Sequence, residues 1–280
     1  MKPILIASVI ILAIASIGPG KAASFYANSA GGSGIQVYET TTGAVTDSFI
    51  PASTSNGRGV VRVGDIVYYT EADSSRLYSY NIATRTSLGT VFTVPGSSGL
   101  ATIAYDGASF YFGDYSGTNK VYKYSPTGAL LQTITLSLCS SYCDGLEYAN
   151  GTLISNRADG GNGAASTFDV YDLNGAVLKS AFITTPYGAT GIAYDGADYY
   201  VSDIFGGKID VFGPSGGSTP TRTITLKNPT KLIEDLSFDY SIRADTGGTQ
   251  VPEPASLLLI GIGLAGIGFF RRGTQMHATA

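Results

Sequence analysis

The sequence predicts an all-β fold: a single β-propeller of five four-stranded blades, closed by pairing its N- and C-terminal strands. Three observations carry this expectation. The composition is rich in Gly (37) and Tyr (19), with 12 Phe and no Trp, which favours strands joined by tight turns. A segment, Ile103-Ala104-Tyr105-Asp106-Gly107-Ala108, recurs 89 residues later as Ile192-Ala193-Tyr194-Asp195-Gly196-Ala197. Short alternating strands fill units of about 45 residues, the spacing of a propeller blade.

The repeat sets the order of the elements. Each copy of the segment runs into an aromatic strand ending in an acid, Phe110 to Asp114 and Tyr199 to Asp203. An offset of 89 residues is two units, so a middle copy belongs near residue 147. Gly145-Leu146-Glu147-Tyr148 stands there, followed by an Asn150-Gly151 turn and a strand from Thr152 to Ser155. Asn-Gly is a hairpin-turn pair. An earlier copy starts at Gly59, turns at Gly64-Asp65 and continues as Ile66 to Thr70. The third strand of each unit alternates: Arg76 to Tyr80, Lys120 to Tyr124, Thr167 to Tyr171 and Lys208 to Phe212. Alternation marks a strand with two unlike faces. A fourth strand follows, as in Ala129 to Leu136, Ala176 to Ile183 and Arg222 to Leu226.

Complete units therefore cover about 59–94, 99–136, 145–183 and 191–226. Two fragments remain. Asp235 to Tyr240 reads as a first strand alone, and 24–50 as a unit lacking its first strand. Together they make the fifth blade, and such closure removes open sheet edges. The repeats resemble bacterial NHL-like and lactonase-like propeller repeats. The Tyr-Asp-Gly turns and the stretch Ser218-Thr219-Pro220-Thr221-Arg222-Thr223-Ile224 carry that likeness. It implies a fold and not an activity.

The ends are expected to lie outside the propeller, which spans 25–245. Residues 1–24 read as a secretory signal peptide: Lys2, an apolar run from Ile4 to Ile17, then small residues at Ala22, Ala23 and Ser24. After a linker at 246–250, Val251-Pro252-Glu253-Pro254 precedes an uncharged, predominantly apolar run, 255–270, and then Arg271-Arg272. As a helix, that run spans about 24 Å, marginal against a hydrocarbon core of about 30 Å. The two arginines would stay cytoplasmic, with residues 273–280 as a cytoplasmic tail, and the body outside the inner membrane. The Pro252-Glu253-Pro254 triplet, the Gly-interspersed apolar segment and the Arg271-Arg272 pair resemble the PEP-CTERM sorting signal. That resemblance implies an exosortase-type membrane protease as partner, cutting near the triplet and delivering the body to the cell surface or medium. It also implies a bacterium that makes extracellular polysaccharide.

Several chemistries are excluded by residue type. The chain has one His, His277, beyond the apolar run. A body cut near Pro254 would hold none, which removes Ser-His-Asp and Cys-His nucleophiles and His-ligated zinc. No phosphate loop or dinucleotide fingerprint appears. The net charge of −4 and the lack of a basic cluster argue against nucleic acid as a partner. No catalytic residue, metal site or cofactor is assigned; structural Ca²⁺ on oxygen ligands has no ligand set that the residues define. A lactonase-like site would place carboxylates and an Asn around a divalent cation on the axis. Glu147, Asn156, Asp203 and Glu234 are the candidates by type. Cys139 and Cys143, the chain's two cysteines, bracket a short inter-blade loop and are expected to form a disulfide in an oxidising compartment. The tyrosines are read mainly as packing between blades. Two functions follow: a surface or matrix protein that binds exopolysaccharide or a surface protein through its propeller, and, as the alternative, a metal-dependent lactonase-like hydrolase.

Overall fold

A computed structural model of the chain describes residues 24–32, 34–49, 56–97, 99–114, 118–139, 143–157, 164–227 and 232–247. The sorting-signal residues Pro252, Glu253, Pro254, Arg271 and Arg272, and the signal peptide up to residue 23, lie outside the described residues. The first strands are β1 (Ser24–Ser29), β2 (Ile35–Glu39) and β3 (Val45–Phe49). Next come β4 (Gly57–Val63), β5 (Ile66–Glu71), β6 (Arg76–Asn81) and β7 (Thr86–Thr93). The third group is β8 (Leu100–Tyr105), β9 (Phe110–Asp114), β10 (Lys120–Tyr124) and β11 (Leu130–Thr135). The fourth is β12 (Leu146–Ala149), β13 (Thr152–Asn156), β14 (Ser166–Tyr171) and β15 (Val177–Thr185). The last strands are β16 (Ile192–Tyr194), β17 (Tyr199–Asp203), β18 (Lys208–Phe212), β19 (Arg222–Thr225) and β20 (Ile233–Ser237).

These strands form five four-stranded antiparallel sheets. Four follow chain order, and the fifth runs β20-β1-β2-β3. The expected five-bladed propeller is the fold observed, including its closure by both ends of the body. In the closing pair Ala27 faces Leu236 and Asn28 faces Asp235. The inner strands β20, β4, β8, β12 and β16 neighbour one another around the axis. They all start at one end of the channel, here the mouth, and finish at the other, the base. β20 differs in its limits from the sequence reading. It begins at Ile233 and ends at Ser237, because Asp239 accepts from Ser241 N (3.0 Å) and turns the chain across the base.

Local chemistry explains the repeats. In the Tyr-Asp-Gly turns the aspartate closes the hairpin. Asp106 Oδ1 accepts from Ala108 N (2.9 Å) and Ser109 N (2.6 Å), while Oδ2 accepts from Tyr111 Oη (2.8 Å). Asp195 repeats this with Ala197 N, Asp198 N and Tyr200 Oη. A second device joins first and second strands. Gly59 N donates to Thr70 Oγ1 (2.7 Å), Gly145 N to Asn156 Oδ1 (3.3 Å) and Gly191 N to Ser202 Oγ (3.0 Å), each pair 11 residues apart. Glycine is required at 145 by close approach: a Cβ there would lie 2.0 Å from the Thr190 carbonyl oxygen of the next blade.

The core is a ring of interfaces between blades. Tyr38, Tyr69, Tyr111, Tyr171 and Tyr200 are fully buried there beside Phe25, Phe112, Phe168 and Phe238, so most of this tyrosine is packing. Cys139 and Cys143 are bonded as a disulfide in the β11–β12 connection, their Cα atoms 5.9 Å apart. Among the described residues no helix is long and apolar enough to cross a membrane.

Candidate functional site

The two ends of the channel are built differently. At the mouth, the residues just before or at the start of the inner strands converge. Arg58 from β4 and Glu234 from β20 form an ion pair, Nη1 to Oε1 2.6 Å. Thr190, ahead of β16, donates from Oγ1 to Glu234 Oε2 at 3.4 Å. Asp144, ahead of β12, lies in the field of both: Arg58 acts on its charge, and it acts on that of Glu234. Its Oδ1 is buried and makes no hydrogen bond. Burial pushes Asp144 up to about 6, with Arg58 pulling back. Burial likewise pushes Glu234 up to about 7; Arg58 opposes this and Asp144 adds to it. One guanidinium thus serves two carboxyls that water hardly reaches, so neither is fully compensated. Phe205, an exposed ring, lies in the β17–β18 turn at the mouth end of its blade. The neighbouring Ile204 carbonyl accepts from Leu232 N (3.0 Å), two residues before Glu234.

The base is sealed. After β20 the chain makes two short 3-10 turns, Tyr240–Ile242 and Ala244–Thr246. Arg243 enters the channel end between them. Its Nη1 meets Glu147 Oε1 at 2.7 Å, its Nη2 meets Asp245 Oδ2 at 2.8 Å and the Tyr148 carbonyl, and its Nε meets Asp245 Oδ1 at 3.1 Å. The guanidinium lies 4.3 Å from the Tyr240 ring centre and 5.2 Å from that of Tyr194. Tyr240 Oη donates to Glu147 Oε1 at 2.8 Å, and Asn150 N donates to Asp245 Oδ2 at 2.9 Å. Burial pushes Glu147 up to about 7, against the pull of Arg243. Burial alone would lower Arg243, but Glu147, Tyr240 and Asp245 more than reverse this and hold it protonated. The fold runs on through Thr246, whose Oγ1 donates to the Tyr240 carbonyl at 2.6 Å.

The four residues singled out as lactonase-like ligands do not come together. Glu147 belongs to the base with Arg243. Asn156 ties blade to blade: its Oδ1 accepts from Asp144 N (3.1 Å), and its Nδ2 donates to the Ala189 carbonyl (3.3 Å). Asp203 closes its own turn, accepting from Phe205 N and Gly206 N. Only Glu234 points into the mouth cluster. Among the described residues no group of three or more His, Cys, Asp or Glu is placed to hold a metal ion. Arg58, Asp144 and Thr190 were not singled out from sequence. Their positions at the inner-strand starts, Arg58 second in β4 and Asp144 and Thr190 two residues before β12 and β16, are the signal that could have found them.

Comparison with known proteins adds one family match. Residues 250–272 match the family model described as the PEP-CTERM protein-sorting motif. No curated protein matches the chain. A chain of the crystal structure of a nidogen/laminin complex is similar in fold, with 12% identity, a TM-score of 0.52, and coverage of 76% of this chain and 97% of that one. A structure of Myxococcus xanthus glutaminyl cyclase gives 16% identity, a TM-score of 0.45, and coverage of 71% of this chain and 76% of that one. At these identities the likeness is one of fold alone.

Two outcomes are expected from this geometry. Arg243→Met, which strands Glu147 in the sealed base, should cost about 3 kcal/mol or more. Adding Glu147→Leu should restore much of that loss. Chemical denaturation of both variants checks it, and simply additive losses would refute the pairing. At the mouth, Glu234 and Asp144 bind their protons more tightly folded than unfolded. Their stabilising contribution is full below about pH 4, the ordinary carboxyl range, and is lost as pH rises through about 7. The thermal midpoint should therefore fall between pH 5 and 8. Glu234→Gln should reduce that slope, removing a contribution of about 3 kcal/mol. An unchanged slope would place the titration elsewhere.

Proposed function

We propose that this chain is an exported surface or matrix protein whose propeller binds extracellular polysaccharide at its mouth. The observation that carries the reading is the match of residues 250–272 to the sorting motif. That motif implies an exosortase-type membrane protease as partner and an extracellular destination. The proposed signal peptide at 1–24 and the proposed cut near Pro252-Glu253-Pro254 fit such a route. Once cut there, the body, residues 25–251, holds no His. Such a body lacks a His-dependent nucleophile, which favours recognition over hydrolysis.

The mouth suits a hydroxyl-rich polymer. It offers a cation, two carboxyls of raised pKa and a hydroxyl in one small cluster. A carboxyl near neutrality both donates and accepts hydrogen bonds, as sugar hydroxyls do. Phe205 supplies an exposed ring at the same end of the propeller, suited to stacking on a sugar face.

Intact-mass measurement of the extracellular form, with a pull-down on the producing cell's own polysaccharide, tests the reading. The expected mass ends the chain near residue 252, and Glu253→Ala should leave full-length protein in the membrane. Arg58→Ala and Phe205→Ala should weaken polymer binding about tenfold while the folded fraction stays high. Binding that survives both substitutions, or capture of a surface protein instead, would move the partner away from the mouth. Full-length protein in the medium would overturn the sorting step.

A further inference from the structure

Both ends of the folded body leave from the base. β1 runs antiparallel to β20, with Ser29 paired to Ile233 at the mouth and Ser24 beyond the Tyr26–Ser237 pair at the base. The other end, Gly247, follows the Arg243 seal at the base. The remaining chain is short. Seven residues separate Gly247 from the apolar run at 255–270, and six separate Ser24 from the run ending at Ile17. Fully extended, seven residues reach about 25 Å. A chain whose apolar ends enter a bilayer therefore holds its base next to that bilayer.

The base rim carries a repeated apolar feature. In four blades the outer strand shifts register against its neighbour near the base: at Val37/Tyr38, Ser79/Tyr80, Lys123/Tyr124 and Val170/Tyr171. A bulge leaves one residue unpaired and re-aims its side chain. In three successive blades that residue is leucine: Leu88, Leu131 and Leu178, which are 55%, 55% and 59% exposed. Each has further exposed aliphatic surface near it or on the next blade, as at Leu130 and Val177. Ile242, on the outside of the seal, is exposed on the same face. Scattered single apolar residues would be ordinary. Here one residue type recurs at one bulge, on adjacent blades, on the face from which both membrane-directed ends emerge. Among the described residues, Phe205 (56% exposed) and Val91 (37%), toward the mouth end of β7, are the large apolar side chains exposed at that end.

We infer that the base rim is a membrane-resting surface: before cleavage the propeller sits base-down on the bilayer, with Leu88, Leu131 and Leu178 at the headgroup–acyl boundary and the mouth facing away. The inference rests on the export and sorting reading above. Three leucines form a weak membrane contact on their own, but the short C-terminal tether, seven residues from Gly247 to the apolar run, keeps the rim at high effective concentration beside the bilayer. Cleavage of that tether removes the advantage, so the same surface releases once the chain is processed. The precursor would thus display its mouth outward while still anchored.

The chain contains no Trp, so one introduced Trp is its only such fluorophore. Full-length Leu131→Trp, Leu178→Trp and Phe205→Trp variants are reconstituted into phosphatidylethanolamine/phosphatidylglycerol vesicles with brominated acyl chains. Leu131→Trp and Leu178→Trp should be blue-shifted and quenched at least twofold, with Phe205→Trp unquenched. After proteolytic removal of the tail and flotation, rim quenching should fall to the Phe205→Trp level. Protein that floats with the rim residues unquenched, or with Phe205→Trp quenched as strongly, overturns the inference alone. Protein that fails to float with the vesicles overturns the membrane reading of the tail and the inference with it.

Discussion

Ring closure is the constraint on which the structure depends. A propeller whose last sheet lacked its first strand would expose the edge of β1 and open the core between two blades. Here β20 fills that place, and the closing pair Asn28–Asp235 is polar and buried. Burying such a pair is unfavourable unless its bonds are satisfied. They are satisfied by the next blade. Asn28 Nδ2 donates to the Gly59 carbonyl at 3.0 Å, and Asp235 Oδ2 accepts from Val60 N at 3.0 Å. The lacing continues down β20, with Arg62 N donating to Ser237 Oγ and Gly64 N to Asp239 Oδ1. Alternate side chains of β20 thus do for β4 what a backbone ladder would do. Closing the ring and docking the fifth blade on its neighbour become one event, across 175 residues of sequence.

That separation explains what the sequence did and did not disclose. Blade count and blade limits were legible because each rests on a pattern inside one unit, and closure because the two end fragments are complementary parts of that same unit. Tyr-Asp-Gly forms its own turn through Asp106 or Asp195, and Asn150-Gly151 turns with both residues at positive φ (50° and 79°). The 11-residue spacing from glycine to polar acceptor is present in the sequence as well. It recasts Asn156 as the acceptor for Gly145 N, a structural role shared by Thr70 and Ser202. The ionic clusters were not legible. Arg58–Glu234 and Arg243–Glu147 join residues of different blades that no local period relates. Asp203 and Glu147 looked like axial ligands because acids at strand ends serve turns and seals as readily as metals.

The channel is asymmetric because the chain ends on one side of it. The segment after β20 folds back over the base, and there every charge meets a partner: Arg243 bonds Glu147, Asp245 and a carbonyl, and Asp245 also accepts from Asn150 N. No equivalent segment covers the mouth among the described residues. Its carboxyls share Arg58, and Asp144 Oδ1 has no hydrogen-bond donor. Fully satisfied polar networks rigidify a fold, whereas partly satisfied ones keep a demand for a further partner. The base therefore reads as structure, and the mouth as the end with interaction capacity left over.

Placement then turns this asymmetry into a functional one. The connection to the matched sorting motif at 250–272 begins where the base seal ends. On the proposed route, the cut near residue 252 falls nine residues after Arg243 in the sequence, beyond the residues whose bonds make the seal. The mouth, at the far end of the inner strands, is unaffected by which state the tail is in. If the mouth recognises and the tail delivers, as proposed, the two can be altered separately, because the closed ring holds the mouth and the start of the tail at opposite ends of one axis.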